Sequence, residues 1–136
     1  MAIVTELIRN ESNGALSFGN HSLDSKTKVE DFPVNGNLYK VKTFKELTKL
    51  ERDGMFVYES EPGTSVNDFN VTESGATFTV SGNADAMITV GLAEDTSYNV
   101  TVAGKSVGAI KTNLSGKLSF SVALNEGDEV SVVIEK

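Results

Sequence analysis

The chain has 136 residues, with 12 basic and 19 acidic side chains and a formal net charge of −7. It lacks Cys and Trp and has a single His, which excludes disulfides, thiolate chemistry, Cys-based metal sites and a multi-histidine metal site. The acidity opposes nucleic-acid binding, and no apolar run approaches the ~20 residues that cross a bilayer, so we expect neither nucleic acid nor membrane insertion.

The first 65 residues predict short strands. Alternating or β-branched runs occur at 3–8, 15–18, 26–32 and 38–44. Residues 47–52 and 55–60 predict a hairpin around Asp53-Gly54, although the spacing of Phe44, Leu47 and Leu50 also fits a helix.

The second half alternates more regularly. Six runs of alternating apolar and polar residues are separated by turns rich in Gly, Asn, Asp and Ser. These predicted strands cover residues 76–80, 86–90, 98–102, 106–110, 117–122 and 129–134. Six strands in so short a segment require two packed sheets or a barrel.

We therefore predict an all-β protein in which a C-terminal sandwich of Greek-key or immunoglobulin-like type, residues 66–136, carries an N-terminal β-rich layer, residues 1–65. The boundary follows Pro62-Gly63, the clearest break in the chain. Residues 1–65 hold 8 basic and 10 acidic side chains, and residues 66–136 hold 4 and 9, so the C-terminal segment carries most of the negative charge.

Catalytic motifs are weak. Gly104-Lys-Ser-Val-Gly108 matches the G-x-S-x-G sequence pattern of a nucleophile elbow. A predicted strand follows it where the elbow requires a helix, so we interpret it as a β-turn. Adjacent acidic residues point to opposite faces of a strand, and His21 lies in a polar stretch typical of the surface. We expect no catalytic residue, no cofactor and no enzymatic activity.

Loop carboxylates offer a weak metal hypothesis. Asp85, Asp95 and Asp128 lie in predicted turns, and oxygen ligands of this kind suit Ca²⁺. The spacing of a known calcium loop is missing.

The binding candidates lie in the first half. Tyr39 and Tyr58 stand among the basic residues Lys40, Lys42 and Arg52, where aromatic rings could line an exposed site. The alternative is that the two tyrosines pack the two segments together. Tyr98, in an alternating strand, is expected in the core or at the edge of the sandwich.

Residues 98–134, with 38–44 and 54–60, resemble short Firmicutes proteins that carry an endosialidase label, and the C-terminal part resembles β-sandwiches appended to bacterial carbohydrate-active enzymes. The label implies sialic-acid hydrolysis. Sialidases share an arginine cluster, a Tyr nucleophile and Asp-box repeats, whereas this chain has only Arg9 and Arg52 and no Asp-box.

The expected function is that of a non-catalytic protein-interaction or assembly module from a bacterium. Predicted exposed strands at 26–32 and 38–44 could add to a sheet of a protein partner or of a second copy. A glycan-binding accessory module is the alternative, and a minimal glycoside hydrolase is third. The start of the chain does not resemble a signal peptide, which predicts a cytoplasmic location, with a surface or phage-like assembly as the alternative.

Overall fold

The computed structural model describes residues 3–136. Within this range the chain forms thirteen β-strands and no helix. The strands are β1 (Ile8–Asn10), β2 (Leu16–Phe18), β3 (Thr27–Val34), β4 (Asn37–Phe44), β5 (Leu47–Arg52), β6 (Met55–Glu61), β7 (Ser65–Thr72), β8 (Gly75–Ser81), β9 (Ala86–Gly91), β10 (Ser97–Val102), β11 (Lys105–Lys111), β12 (Lys117–Val122) and β13 (Val130–Glu135).

The strands form two antiparallel sheets. Sheet A has seven strands in the order β1-β2-β7-β8-β13-β10-β11, and sheet B has six in the order β12-β9-β6-β5-β4-β3. Their inner faces enclose one hydrophobic core. The prediction of an all-β, sandwich-like protein is confirmed.

Both segments of the chain contribute to both sheets. In sheet A, β2 pairs with β7, and in sheet B, β6 pairs with β9 through positions such as Tyr58 opposite Val90. The N-terminal strands therefore extend the two sheets sideways. Of the C-terminal strands only β9 and β12 cross to sheet B, and in sheet A β13 lies between β8 and β10.

Four aromatic rings occupy the centre of the core. Tyr58 packs edge-on against Phe18, with ring centroids 5.2 Å apart, and against Phe78 at 5.9 Å. Phe69 packs edge-on against Phe18 at 5.6 Å. Such pairs contribute about 0.5–1.5 kcal/mol each beyond the burial of their area. Tyr98 is buried as predicted.

Two strands differ from the sequence-based expectation. The N-terminal strand begins only at Ile8, after Leu7 adopts a positive φ of 73°. Strand β7 was not predicted, because its register shifts between Asn67 and Asn70 around Asp68, whose φ is 57°. A bulge of this kind breaks the two-residue alternation by which a strand is recognised.

Candidate functional site

Two of the predicted binding residues lie side by side at an open end of the sandwich. Tyr39 on β4 is directly opposite Arg52 on β5. Both lie on the inward face of sheet B, because each is two positions from a buried residue of its strand, Val41 for Tyr39 and Leu50 for Arg52. They line a cleft of about 130 Å³ between the ends of the two sheets. We call this the Tyr39–Arg52 cleft.

The Tyr39–Arg52 cleft combines an apolar floor with a polar rim. The buried residues Leu16, Val34, Val57 and Phe69 form the floor, and Asn35, Asn37 and Asn70 join Arg52 at the rim. Tyr39 is half-buried and Arg52 is exposed. Among the described residues no carboxylate lies within 4.0 Å of the Arg52 guanidinium, so the cation is available to a ligand.

Lys40 and Lys42 lie on the opposite, outer face of sheet B. Lys42 stands between Lys28 on β3 and Lys49 on β5 in directly opposed positions. Like charges so placed repel, and Glu30 offsets them: it bonds Lys28 Nζ at 2.7 Å. That hydrogen bond, followed by the charges of Lys28, Lys40 and Lys42, lowers the pKa of the Glu30 carboxyl.

Tyr58 does not line an exposed site. Its side chain is fully buried, and its hydroxyl lies 2.8 Å from Thr64 Oγ1. Burial raises the pKa of the phenol well above its ordinary value. The residue contacts Phe18 and Phe69 from the two segments of the chain, which is the packing role considered as the alternative.

The expectation of a surface position for His21 is also corrected. The residue is 5% exposed, and its Nδ1 lies 2.7 Å from Ser65 Oγ. Burial lowers the pKa of the imidazole. The polar neighbours in sequence were misleading because Asn20 is buried too, with its backbone N–H donating to Thr43 Oγ1.

The proposed metal ligands have separate local roles. Asp85 Oδ1 accepts a hydrogen bond from Leu124 N–H at 3.1 Å, and Asp95 pairs with Lys111 at 3.1 Å. Asp128 lies in the turn before β13. No group of three His, Cys, Asp or Glu residues within positions 3–136 is close enough together to hold a metal ion.

The Gly104–Gly108 motif and Arg9 belong to the framework of the sheets. Residues 104–108 belong to the β10–β11 hairpin, as predicted, with Ala103 and Gly104 at positive φ in its turn. Arg9 is engaged by Glu6 and Glu11, each at 3.1 Å. It lies on β1 of sheet A, whereas Arg52 lies on β5 of sheet B.

A second candidate site arises because sheet A is one strand wider than sheet B. Strands β1 and β3 contact each other, so these two ends of the sheets lie together. Counting from that end, β12 lies opposite β10 and the described chain has no strand opposite β11. The burial pattern agrees, since alternate residues of β10 are buried whereas β11 has six exposed residues of seven.

The uncovered face of β11 can be identified from its register. Ile110 and Gly108 are opposite the buried Tyr98 and Val100, and Lys105 is opposite Val102, so all three share the inward face. A Cβ placed on Gly108 would meet nothing within 4 Å. Beside this face lies the free edge of β12. We call the space between the inward face of β11 and the free edge of β12 the β11–β12 slot.

The hydrogen bonds of β12 show which groups face the β11–β12 slot. Gly116 C=O accepts from Leu92 N–H, so the backbone N–H and C=O of Gly116 point toward β9. Alternate residues of a strand turn to opposite sides, which directs the N–H and C=O of Lys117, Ser119 and Ser121 to the free edge. Lys117 is already paired with Asn113 through both groups, leaving Ser119 and Ser121 open.

Two exposed apolar residues lie on the segments next to the β11–β12 slot. Val107 is 50% exposed and Leu114, in the turn before β12, is 80% exposed. Sequence reasoning placed strands at 106–110 and 117–122 but did not identify this site, because the slot depends on which strand lacks a partner. The only signal was weak: Val107-Gly108 interrupts the alternation of its strand.

Comparison of the chain with protein-family models, with curated proteins and with solved structures found no match. In the described part of the chain, no helix has the length and hydropathy needed to span a membrane.

Proposed function

We propose that this protein is a non-catalytic interaction module that binds another polypeptide. The observation that carries the proposal is the unequal width of the two sheets, which leaves the inward face of β11 uncovered and the edge of β12 unpaired. Backbone groups at a free edge are ready partners for an extended chain.

The other sheet edges support this choice because they carry features that discourage pairing. Strand β1 has three residues, and β3 combines Pro33 with a register shift between Val29 and Phe32. Strand β11, the other edge of sheet A, has a register shift opposite Val100 and Thr101 and a Lys at each end. Short edges, Pro, Lys and bulges all protect an edge strand from association. Strand β12 pairs with β9 over six consecutive positions without a shift and contains no Pro.

Selection from a displayed library of random peptides tests the proposal. We expect enrichment of related peptides of extended, alternating sequence that bind the purified protein in fluorescence anisotropy. Failure of repeated selections to enrich any binder would overturn it, and turnover of a glycoside substrate would contradict a non-catalytic role.

The Tyr39–Arg52 cleft supports a second candidate function, glycan binding. A half-buried Tyr ring offers an apolar face to a sugar ring. Arg52, and Asn37 on the same face of β4 as Tyr39, can donate hydrogen bonds to hydroxyl or carboxylate oxygens. The observation that favours this candidate is the direct pairing of Tyr39 with Arg52 at the cleft.

A glycan array tests this candidate with matched variants. Tyr39→Ala should abolish any signal, whereas Tyr39→Phe should keep the ring and most of the binding. Lys42→Ala, on the outer face of the sheet, should bind like the unmodified protein. An array without signal, or a signal unchanged by Tyr39→Ala, would exclude the cleft as a glycan site.

A further inference from the structure

We infer that the β11–β12 slot accepts one extended strand of a different polypeptide, which pairs antiparallel with β12 and places its inward side chains under β11. The inference rests on the proposed function and specifies the partner. Such a strand would make sheet B equal in width to sheet A. It would also bond the open N–H and C=O groups of Ser119 and Ser121.

The overhang of β11 excludes a second copy of this chain in the same position. Antiparallel pairing of β12 with β12 of a copy requires a two-fold axis perpendicular to the sheet, so both copies keep sheet A on the same side. The copy's β12 would then lie under β11 of the first molecule. In the copy, β10 already occupies the space over β12. Strand β11 of the first molecule and β10 of the copy would therefore collide. A single strand without a second layer avoids the clash.

The inward face of β11 specifies the chemistry of the partner strand. Gly108 presents no side chain and has open space in front of it, so a large apolar side chain fits opposite. The half-buried Ile110 favours a second apolar residue two positions further along. Lys105 is exposed and, within the described chain, no carboxylate lies within 4.0 Å of it. It favours a carboxylate.

The ends of the β11–β12 slot set the direction and the length of the partner strand. The turn at Asn113 occupies the backbone of Lys117 and closes the slot at the start of β12. Thr112 N–H donates to Thr96 C=O and Asp95 N–H donates to Asn113 C=O, so the start of β10 and the end of β11 also lie at this closed end. Lys105, opposite Val102 at the end of β10, therefore lies at the other end, toward Val122 of β12. A strand antiparallel to β12 therefore begins with its carboxylate at Lys105 and continues with the two apolar residues. The partner strand has about six residues, because it runs beside the six residues of β12 and strands rise by ~3.3 Å per residue.

The probe is the capped hexapeptide Asp-Thr-Phe-Thr-Val-Thr, in which Asp, Phe and Val occupy the inward positions. Its affinity for the full chain is measured by fluorescence anisotropy, with amide hydrogen exchange to locate it. We expect binding that protects the amides of Ser119 and Ser121. Replacing the peptide's Asp by Lys should weaken binding several-fold, as should Lys105→Glu in the protein.

Two variants of one residue separate backbone pairing from side-chain contact. Ser121→Pro removes the edge N–H and should weaken binding at least about tenfold, which corresponds to the loss of one or two backbone bonds. Ser121→Ala keeps the N–H and should bind within about twofold of the unmodified protein. Circular dichroism and thermal unfolding serve as the control, and we expect both variants to fold because Pro is tolerated on edge strands.

The outcomes distinguish this inference from the proposed function. Peptide binding that Ser121→Pro leaves unchanged, or protection confined to other strands, overturns the slot and leaves the interaction module standing. If the hexapeptide does not bind but library peptides bind elsewhere, the slot is again excluded. Concentration-dependent dimerisation in sedimentation that Ser121→Pro abolishes would show that a second copy is the occupant. If neither the library selection nor the hexapeptide titration detects a bound polypeptide, both the interaction module and the slot are rejected.

Discussion

Burial lowers the pKa of the single histidine. His21 is bonded to Ser65 and enclosed near the β6–β7 connection, and burial lowers the pKa of its ring below the ordinary value of 6.5. The unfolded chain therefore takes up a proton at a higher pH than the folded protein does. The free energy of unfolding must decrease as the pH falls below about 6.5, until the folded pKa is reached.

His21→Asn should remove this part of the pH dependence. Urea unfolding between about pH 7.5 and 5.5 stays above the range in which most carboxylates titrate. The unmodified protein should lose at most about 1.4 kcal/mol per pH unit over the lower part of this range. The variant, although less stable overall, should lose markedly less. Equal slopes for the two proteins would contradict a buried, neutral His21.

Hydroxyl groups in the core act as partners for the backbone of residue 64. Thr48 Oγ1 donates to Thr64 C=O at 2.6 Å and accepts from Thr64 N–H at 3.1 Å. Thr48→Val should leave both groups buried without a partner and cost about 1–3 kcal/mol. Thr48→Ser keeps the hydroxyl and loses one methyl group, at about 0.8 kcal/mol. Denaturant unfolding of the pair should show the valine variant as the less stable, and the reverse order would refute this role.

At the level of elements, the β5–β6 hairpin could be predicted from its local sequence alone. Asp53 and Gly54 both have positive φ, at 51° and 79°, which is the turn that the Asp-Gly pair predicts. Asp53 Oδ1 also accepts from Leu38 N–H at 2.8 Å, joining the turn to β4. Phe44, Leu47 and Leu50 have helical spacing but lie in strands, because β5 pairs with a strand on each side.

Asp53→Ala should destabilise the hairpin by about 1–2 kcal/mol, since Ala is strained at this φ and cannot accept the Leu38 bond. Asp53→Asn tolerates the same backbone conformation and keeps an oxygen acceptor, so it should lose well under half as much. Thermal unfolding of both variants measures the difference. Equal losses would show that neither backbone strain nor the bond matters.

At the level of the whole molecule, shared sheets determine whether the two segments are independent. The core includes residues from both, and the rings of Phe69 on β7 and Phe78 on β8 pack against Phe18 and Tyr58 of the N-terminal segment. A fragment of residues 66–136 would lose β2 beside β7 and β6 beside β9. It would expose a long free edge on β9 and much of the aromatic core.

We therefore expect residues 66–136 expressed alone to show no cooperative unfolding transition and poor dispersion of amide resonances. Adding residues 1–65 in equimolar amount should restore part of both. A fragment that unfolds cooperatively by itself would demonstrate an autonomous C-terminal sandwich of the kind expected from the sequence.

The sequence alone determined the all-β class and nearly all the strands, because alternation along a strand and the turn residues between strands are local properties. It could not determine which strands pair, since pairing depends on contacts between distant residues. Tertiary structure therefore decided that Tyr58 and His21 are buried, that Tyr39 and Arg52 share a cleft while Lys40 and Lys42 face away, and that β11 extends beyond its partner sheet. The β11–β12 slot exists only because seven strands lie over six.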